Sequence, residues 1–570
     1  MNIIILLFQL ALVTISCQKD PDLWTGPVIT EPRDELTLQQ LQAESILPLM
    51  DMSFFAKPEW AQTATHSFSG AISFEDTEMD FPIERAYYPG ENIFPGITLD
   101  FISHDGELIP IKNEIPGYRS SGNDSWNVLV GTGKIWHEEA DGDWNRASFP
   151  LSLSDSYIGQ VKNCVATFLY KGDSVSNVYV QCSQETADFN DGQVGNIRVM
   201  LMADYKARTY TDSLSVIEKR KRIKAERLPV HPLSEIDTDH KVADYFEKAG
   251  YTNAPTSLGA IVMDDQIYLQ APKTRHGLYP YPNEMRQAVY SVSKSMTGAL
   301  ALFYFAERYG NELFDAVISE YVPALASLPE WHGVTFSNTL NMLTGTEGGE
   351  DAARMYEIMV QPRSAEEVIN NIAGLGDQAA QPGEAFNYAS TNLFVLSYAL
   401  QNYVEEKEGT GSSYWNLLRE NVLVPIGAED FTLLHTVESD GSEGIPLLAY
   451  GAWPTLDNVA KIAMLFSKEG MYRGQQILNR EKCREALGRT NWKGYSTNND
   501  WRGEYYRHSF WATDVRSNGC KVNVTYMLGY GGNYVWFFPS GAIAIRFMDE
   551  YDFDFKALVK GVERIRSSCE

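Results

Sequence analysis

The sequence predicts an α+β protein: a mainly β N-terminal part, then a larger half in which helices flank one antiparallel sheet. Three observations predict it. Residues 37–210 alternate apolar and polar side chains in short runs broken by turns, as in Ser67-Phe68-Ser69-Gly70-Ala71-Ile72-Ser73-Phe74, Ile97-Thr98-Leu99-Asp100-Phe101 and Trp126-Asn127-Val128-Leu129-Val130. That period of two belongs to half-buried strands, and their number and spacing predict an antiparallel sandwich. From residue 236 the pattern turns helical and mixed. Strand-like runs nevertheless stand at both ends of this half: 257–263 and 266–269 around Asp264-Asp265, then 525–528, 534–538 and 542–547, with a terminal helix over 553–565. One sheet built from distant sequence follows.

The N-terminus opens with an apolar run over residues 3–15, too short to span a bilayer and the length of a signal h-region. Residues 1–16 are therefore expected to be a signal peptide. Ser16-Cys17 followed by the polar Gln18-Lys19-Asp20-Pro21-Asp22 resembles the lipobox of bacterial lipoproteins, which implies Cys17 as a lipid carrier and attachment to a membrane through it. The expected location is periplasmic or at the cell surface, as an outer-membrane lipoprotein, with secretion as the alternative. A Pro- and Asp-rich tether over 17–36, a β-rich accessory domain over 37–210 and a linker helix over 211–235 come next. The C-terminal domain then occupies 236–570.

Composition narrows the function. A net charge of −28 argues against a nucleic-acid partner. The dense basic run Glu218-Lys219-Arg220-Lys221-Arg222-Ile223-Lys224 reads as a solvated helix face. No His/Cys/Asp cluster has metal-ligand spacing, and neither a metal nor a cofactor is expected. With Cys17 set aside, five cysteines remain, an odd number. Folding residues 163–182 as a hairpin about Asp173 sets Phe168 opposite Val178, Ala166 opposite Val180 and Cys164 opposite Cys182. All lie on one face, so Cys164–Cys182 is the expected disulfide. The spacing assigns no partner to Cys483, Cys520 or Cys569.

One stretch carries chemistry: Tyr290-Ser291-Val292-Ser293-Lys294-Ser295-Met296-Thr297, ahead of a buried helix over 298–306. Ser291 and Lys294 are three apart, so they share a helix face and place an amine beside a hydroxyl. The same letters contain Tyr290-x-x-x-Lys294, the pair of a short-chain dehydrogenase. That reading needs a nucleotide-binding strand–turn–helix. The one candidate, Val128-Leu129-Val130-Gly131-Thr132-Gly133-Lys134, lacks the third glycine and a following helix. No Gly-x-Ser-x-Gly elbow occurs, which disfavours an α/β-hydrolase.

Further motifs follow in order. Residues 334–349 contain Leu340-Asn341-Met342-Leu343-Thr344-Gly345-Thr346-Glu347-Gly348-Gly349, residues 382–388 read Pro382-Gly383-Glu384-Ala385-Phe386-Asn387-Tyr388, and near the end stands Gly529-Tyr530-Gly531-Gly532-Asn533. Together with Ser291-x-x-Lys294 these resemble the serine β-lactamase/penicillin-binding-protein-like superfamily, in its class C branch with the family VIII carboxylesterases and D-amino-acid peptidases. The resemblance spans about residues 240–565. It implies a β-lactamase-like domain with the site at the junction of its helical region and sheet. Ser291 would be the nucleophile, Lys294 its activator and Tyr388 a second acid/base.

The strand bearing Tyr530, Gly531, Gly532 and Asn533 would form the far wall, two glycines letting substrate lie along it as an added edge. Backbone N–H groups of Ser291 and Asn533 would hold the oxyanion. Asn341 and Gly345 depart from the family pattern. So do Ser390, where lactamases carry Asn, and Tyr530, where they carry Lys and many relatives His. Those two groups hold the amide and carboxylate of β-lactams in the family. The implied reaction is thus hydrolysis of an ester or small amide in a small-molecule or peptide-like substrate. The alternative is a catalytically weak relative that binds cell-wall or peptide ligands. Ser390 and Asn392 are expected just behind the reacting groups, and Ser293 and Ser295 at the helix surface or in support. The cluster Trp492, Tyr495, Trp501, Tyr505, Tyr506, Phe510 and Trp511 is read as core and strand packing, with an acyl pocket as the other use.

Overall fold

The computed structural model describes residues 33–81, 90–117, 125–186, 196–247, 258–346, 350–376, 379–498, 503–547 and 554–569. The expected signal peptide, most of the tether, Cys17 and Trp501 lie outside these residues. So do residues 347–349, the Glu347-Gly348-Gly349 end of the second motif.

Alternation in the N-terminal part produces ten principal strands: β1 (Ser69–Ser73), β2 (Thr98–His104), β3 (Glu107–Pro110), β4 (Trp126–Val130), β5 (Gly133–Trp136), β6 (Asn145–Asp155), β7 (Val161–Lys171), β8 (Val178–Thr186), β9 (Arg198–Leu201) and β10 (Asp204–Ala207). They belong to one sheet of twelve strands, ordered β9-β8-β7-β6-β5-β3-β2-β1-β10, with β4 also paired to β6. The sandwich expected from strand spacing is thus replaced by a single curled sheet. The curl is visible in its aromatics: Phe68, just before β1, meets Phe168 of β7 at 5.4 Å between ring centroids, although β1 and β7 are far apart in the order. Curling lets one sheet bury its own concave face.

β7 shows how both faces are used. Cys164, Ala166, Phe168 and Tyr170 point into the concave core. Val165 and Leu169 point the other way, into a second cluster with Met50, Phe55, Tyr279, Tyr281 and Met285. The β7–β8 register pairs Cys164 with Cys182 and Ala166 with Val180, as the hairpin reading required. The two cysteines are bonded to each other.

The larger half contains a nine-stranded sheet built from β11 (Val230–Pro232), β12 (Leu258–Met263), β13 (Gln266–Gln270), β14 (Tyr505–Arg507), β15 (Phe510–Ser517), β16 (Cys520–Gly529), β17 (Asn533–Phe537) and β18 (Ile543–Phe547), with Tyr495–Ser496 at the β14 edge. Its order, β11-β13-β12-β18-β17-β16-β15-β14, joins the two distant groups of strands where Leu258 faces Phe547. Asp264 and Asp265 both adopt positive φ, +52° and +61°, the two-residue turn that matches the twist of a hairpin. The helices that matter here are α1 (Ser213–Glu226), α2 (Leu300–Tyr309), α3 (Ser390–Glu408), α4 (Leu456–Ser467) and α5 (Phe555–Ile565). A second disulfide, Cys520–Cys569, ties β16 to the segment after α5, while Cys483 stays reduced and buried. Two disulfides fit an oxidising compartment. Among the described residues no helix is long and apolar enough to cross a membrane.

The basic run is a solvated face at Glu218, Lys221 and Arg222 but not at Arg220. Within α1, Arg220 is only 9% exposed and pairs with Glu107 of β3 at 2.8 Å and with Glu284 at 3.0 Å. Arg222 reaches Glu429 at 2.8 Å, and Arg227 also contacts Glu284. Arg220 therefore links the curled sheet to the larger half. The segment after α1, which holds two prolines, supplies β11, a parallel edge strand on β13. Pro232 sits at that free edge, where a missing N–H costs no ladder bond.

The two parts share a polar seam. Asn163 Nδ2 donates to the Arg286 carbonyl at 2.7 Å, while its Oδ1 accepts from the Arg286 N–H at 3.0 Å. Tyr279 donates to the Cys164 carbonyl at 2.9 Å, Tyr281 to the Ser148 carbonyl at 2.8 Å, and Trp453 Nε1 to the Gly159 carbonyl at 2.9 Å. Asp155 is buried nearby, accepting from the backbone of Ile158 and from Gln160 Nε2. Burial pushes its carboxyl from 3.8 up to about 6. The folded protein then holds the proton longer than the unfolded chain. Stability tied to Asp155 is full below pH 4 and falls by up to about 3 kcal/mol as pH rises through 6. Asp155→Asn should flatten that fall, since Gln160 Oε1, buried without a partner, can accept from the new amide after a flip. Thermal melting of both proteins from pH 4 to 7 checks this, and parallel curves would remove Asp155 as the source.

Candidate active site

Ser291 sits at a forced bend. Tyr290 before it has φ +45°, a left-handed conformation that is strained for an aromatic residue. The turn closes through Val292 N–H to Val289 O at 3.1 Å and Ser293 N–H to Tyr290 O at 2.8 Å. The helix that follows is widened into a π-turn over Lys294–Ala299 before α2 begins. Such bulges are rare and concentrate at functional sites. Every residue from Val292 to Ala306 is buried, whereas Ser291 itself is partly open.

The spacing of three delivers what it predicted. Lys294 Nζ lies 2.7 Å from Ser291 Oγ, 2.9 Å from Ser390 Oγ and 3.1 Å from the Ala449 carbonyl. Lys294 is 1% exposed, and a buried ammonium is tolerable only with such a set of acceptors. Its Nζ also stands 4.9 Å from the centroid of the Tyr388 ring, within range of a cation–π contact. Ser291, Lys294, Tyr388 and Ser390 therefore form one group, although Tyr388 and Ser390 lie almost a hundred positions downstream. Asn392, the third residue of α3, has Nδ2 on Met342 Sδ at 3.7 Å and its Oδ1 accepting from Thr344 Oγ1 at 3.5 Å.

Ser293 and Ser295 are both fully buried rather than at the helix surface. Ser293 Oγ accepts from Ala452 N–H at 3.2 Å, and Ser295 Oγ donates to the Ser509 carbonyl at 2.6 Å. They clamp the serine-bearing helix to segments on either side. The Ala449 carbonyl carries no side-chain signal, so no sequence pattern could have found it.

The far wall differs from the expected strand. β16 ends at Gly529 and β17 starts at Asn533, so Tyr530, Gly531 and Gly532 form the turn between them. Gly531 and Gly532 have φ +73° and +80°, which side-chain-bearing residues adopt only at a cost. Tyr530 is 43% exposed, with its ring edge-on to Tyr290 at 5.7 Å. Asn533 Nδ2 donates to the Tyr530 carbonyl at 2.6 Å and to the Ala288 carbonyl at 3.3 Å, binding the turn to the segment that enters Ser291. Gly529 fits against that same segment. A Cβ there would lie 2.2 Å from the Val289 carbonyl oxygen.

The aromatic cluster divides. Trp511 and Tyr506 lie beside Tyr388, at 5.3 and 6.1 Å between centroids, with Phe386 against both. Phe510 packs on Phe466, and Trp492 on Tyr495 and His508, away from the serine. The departure at Asn341 also finds a physical reason. Its Oδ1 accepts from His508 N–H at 2.6 Å and its Nδ2 meets His508 Nδ1 at 3.2 Å. Asn341 thereby fixes the β14–β15 turn, where His508 and Ser509 both have positive φ.

A serine-bearing helix wedged between a helical layer and an antiparallel sheet defines a β-lactamase-like fold. The chain belongs to the beta-lactamase family, whose model matches residues 257–548, just over half of its 570 residues. Solved structures are similar at low identity. A family VIII carboxylesterase aligns with TM-score 0.44 and 14% identity, covering 59% of this chain and 98% of that one. A penicillin binding protein from Bacillus halodurans gives TM-score 0.41 and 16% identity over 58% of this chain and 98% of its own. A D-stereospecific amidohydrolase from a Streptomyces species gives 0.41 and 13%, over 56% and 97%. No curated protein sequence matches the chain.

Proposed function

We propose that this protein is an exported serine hydrolase that cleaves an ester or small amide bond through an acyl-Ser291 intermediate. The 2.7 Å approach of Lys294 Nζ to Ser291 Oγ carries the reading. Ser291 Oγ attacks the acyl carbon and passes its proton to the Lys294–Tyr388 pair, which accepts it as ammonium with phenolate or as neutral amine with phenol. The departing oxygen or nitrogen takes that proton as its bond to carbon breaks. A water then attacks the acyl-serine and gives a proton to the same pair, which passes it to Ser291 Oγ as the Oγ–acyl bond breaks and the free acid leaves. Backbone N–H groups of Ser291 and Asn533 are the proposed oxyanion donors, and removing one such donor typically costs about 3 kcal/mol of transition-state stabilisation. The substrate is a small molecule or peptide-like compound, with no cofactor required. Export, with Cys17 as the lipidated residue, belongs to the same proposal and is supported by the two disulfides.

Ser390 speaks against a lactam as the preferred substrate. Its hydroxyl accepts from Lys294, so the short side chain is spent on the lysine rather than extended toward an amide. Treating the protein with a fluorophosphonate probe and mapping the adduct tests the mechanism. The expected modification is on Ser291 alone; an adduct elsewhere, or none, would overturn the reading.

A further inference from the structure

The rim of the site carries a carboxylate. Glu350 lies just beyond the second motif, and its Oε1 accepts the N–H of Ser390 at the start of α3. Ser390 is the residue whose hydroxyl touches Lys294, so Glu350 is one residue removed from the reacting group. Its charge is also felt at the Tyr506 hydroxyl, and Tyr506 packs on Phe386 and Tyr388. Both anchors put the carboxylate on the Tyr388 side of the site. Among the described residues no lysine or arginine pairs with Glu350, and the side chain is exposed.

Two other features favour a positive ligand. The cation that lactamases use to hold a substrate carboxylate is replaced by Tyr530. Of the aromatic residues around the site, Tyr530 is exposed and Tyr388 partly exposed, and aromatic faces attract ammonium groups. An anionic substrate would meet the Glu350 carboxylate, which no lysine or arginine among the described residues pairs with.

We propose that Glu350 selects esters or amides that bear a cationic ammonium group, and that it disfavours carboxylate-bearing substrates such as β-lactams. This rests on Ser291 being the nucleophile. Glutamine at 350 keeps the Oε1 acceptor for Ser390 N–H, so Glu350→Gln removes charge while retaining the cap of α3. Two isosteric pairs probe either side of the scissile bond: the p-nitrophenyl esters of 4-(trimethylammonio)butyrate and 5,5-dimethylhexanoate, and butyrylcholine against 3,3-dimethylbutyl butyrate. In at least one pair the kcat/KM ratio of cationic to neutral ester is expected to be about tenfold, collapsing to near unity in Glu350→Gln. A ratio near unity in the wild type overturns the proposal, and so does a preference that survives Glu350→Gln, which would belong to the general acidic surface. Turnover of all four esters that is unchanged by Ser291→Ala, or absent, overturns the hydrolase reading beneath it.

Discussion

Lys294→Met is expected to lower ester turnover by about a thousandfold while the protein remains folded. Proton transfer by a positioned side chain contributes roughly 10²- to 10⁴-fold, and Lys294 is the amine closest to the Ser291 hydroxyl. Methionine fills much of the same unbranched volume. It leaves Ser390 Oγ and the Ala449 carbonyl without their donor, a cost of about 1–3 kcal/mol for each group left unsatisfied. Removing a buried charge offsets part of that cost. A modest change in melting temperature should therefore accompany a large loss in kcat, with KM changed far less. Turnover within tenfold of wild type in a folded Lys294→Met protein would take the lysine out of the mechanism.

Gly529→Ala should damage both stability and turnover. The added carbon would lie 2.2 Å from a backbone oxygen, that of Val289. Neither side can easily retreat. Gly529 is held in register opposite Asn533, and the Val289 segment is fixed by Gln287 N–H on the Pro454 carbonyl and by Asn163 on Arg286. Overpacking of this kind costs typically 1–3 kcal/mol, and a clash between two backbones belongs at the upper end. Relief requires the Ser291 turn to move away from the sheet. Both melting temperature and kcat are expected to fall, and a variant that melts and turns over like wild type would show that the contact is not needed.

What was legible in the sequence was local or strongly patterned. The Cys164–Cys182 register could be read because a short turn fixes pairing between two alternating runs. The Ser291–Lys294 contact followed from helical spacing alone. The gathering of Tyr388 with that pair came from the motif order, since periodicity cannot place a residue a hundred positions away. Long-range partners escaped. Arg220 of α1 looked solvated because Glu107 and Glu284, which neutralise it, are remote in the chain. Asn341 looked like a defect in a motif until His508 appeared beside it. Strand spacing could not separate two stacked sheets from one that curls, because both present the same alternation. The Tyr530 turn was missed for a similar reason: a Gly-Gly pair suits a strand against substrate as well as a left-handed bend.

The join between Leu258 and Phe547 has a consequence for biogenesis. Nearly three hundred residues separate these neighbours, so the edge of the β12–β13 hairpin cannot be covered until the last strand, β18, has been synthesised. The curled sheet imposes no such delay, because its strands pair mostly with near neighbours in sequence. A chain released from its N-terminus can therefore complete the curled sheet first and use it as a template for residues 279–287. The pocket wall then arrives last, and the chain carries no assembled active site while it is still being made.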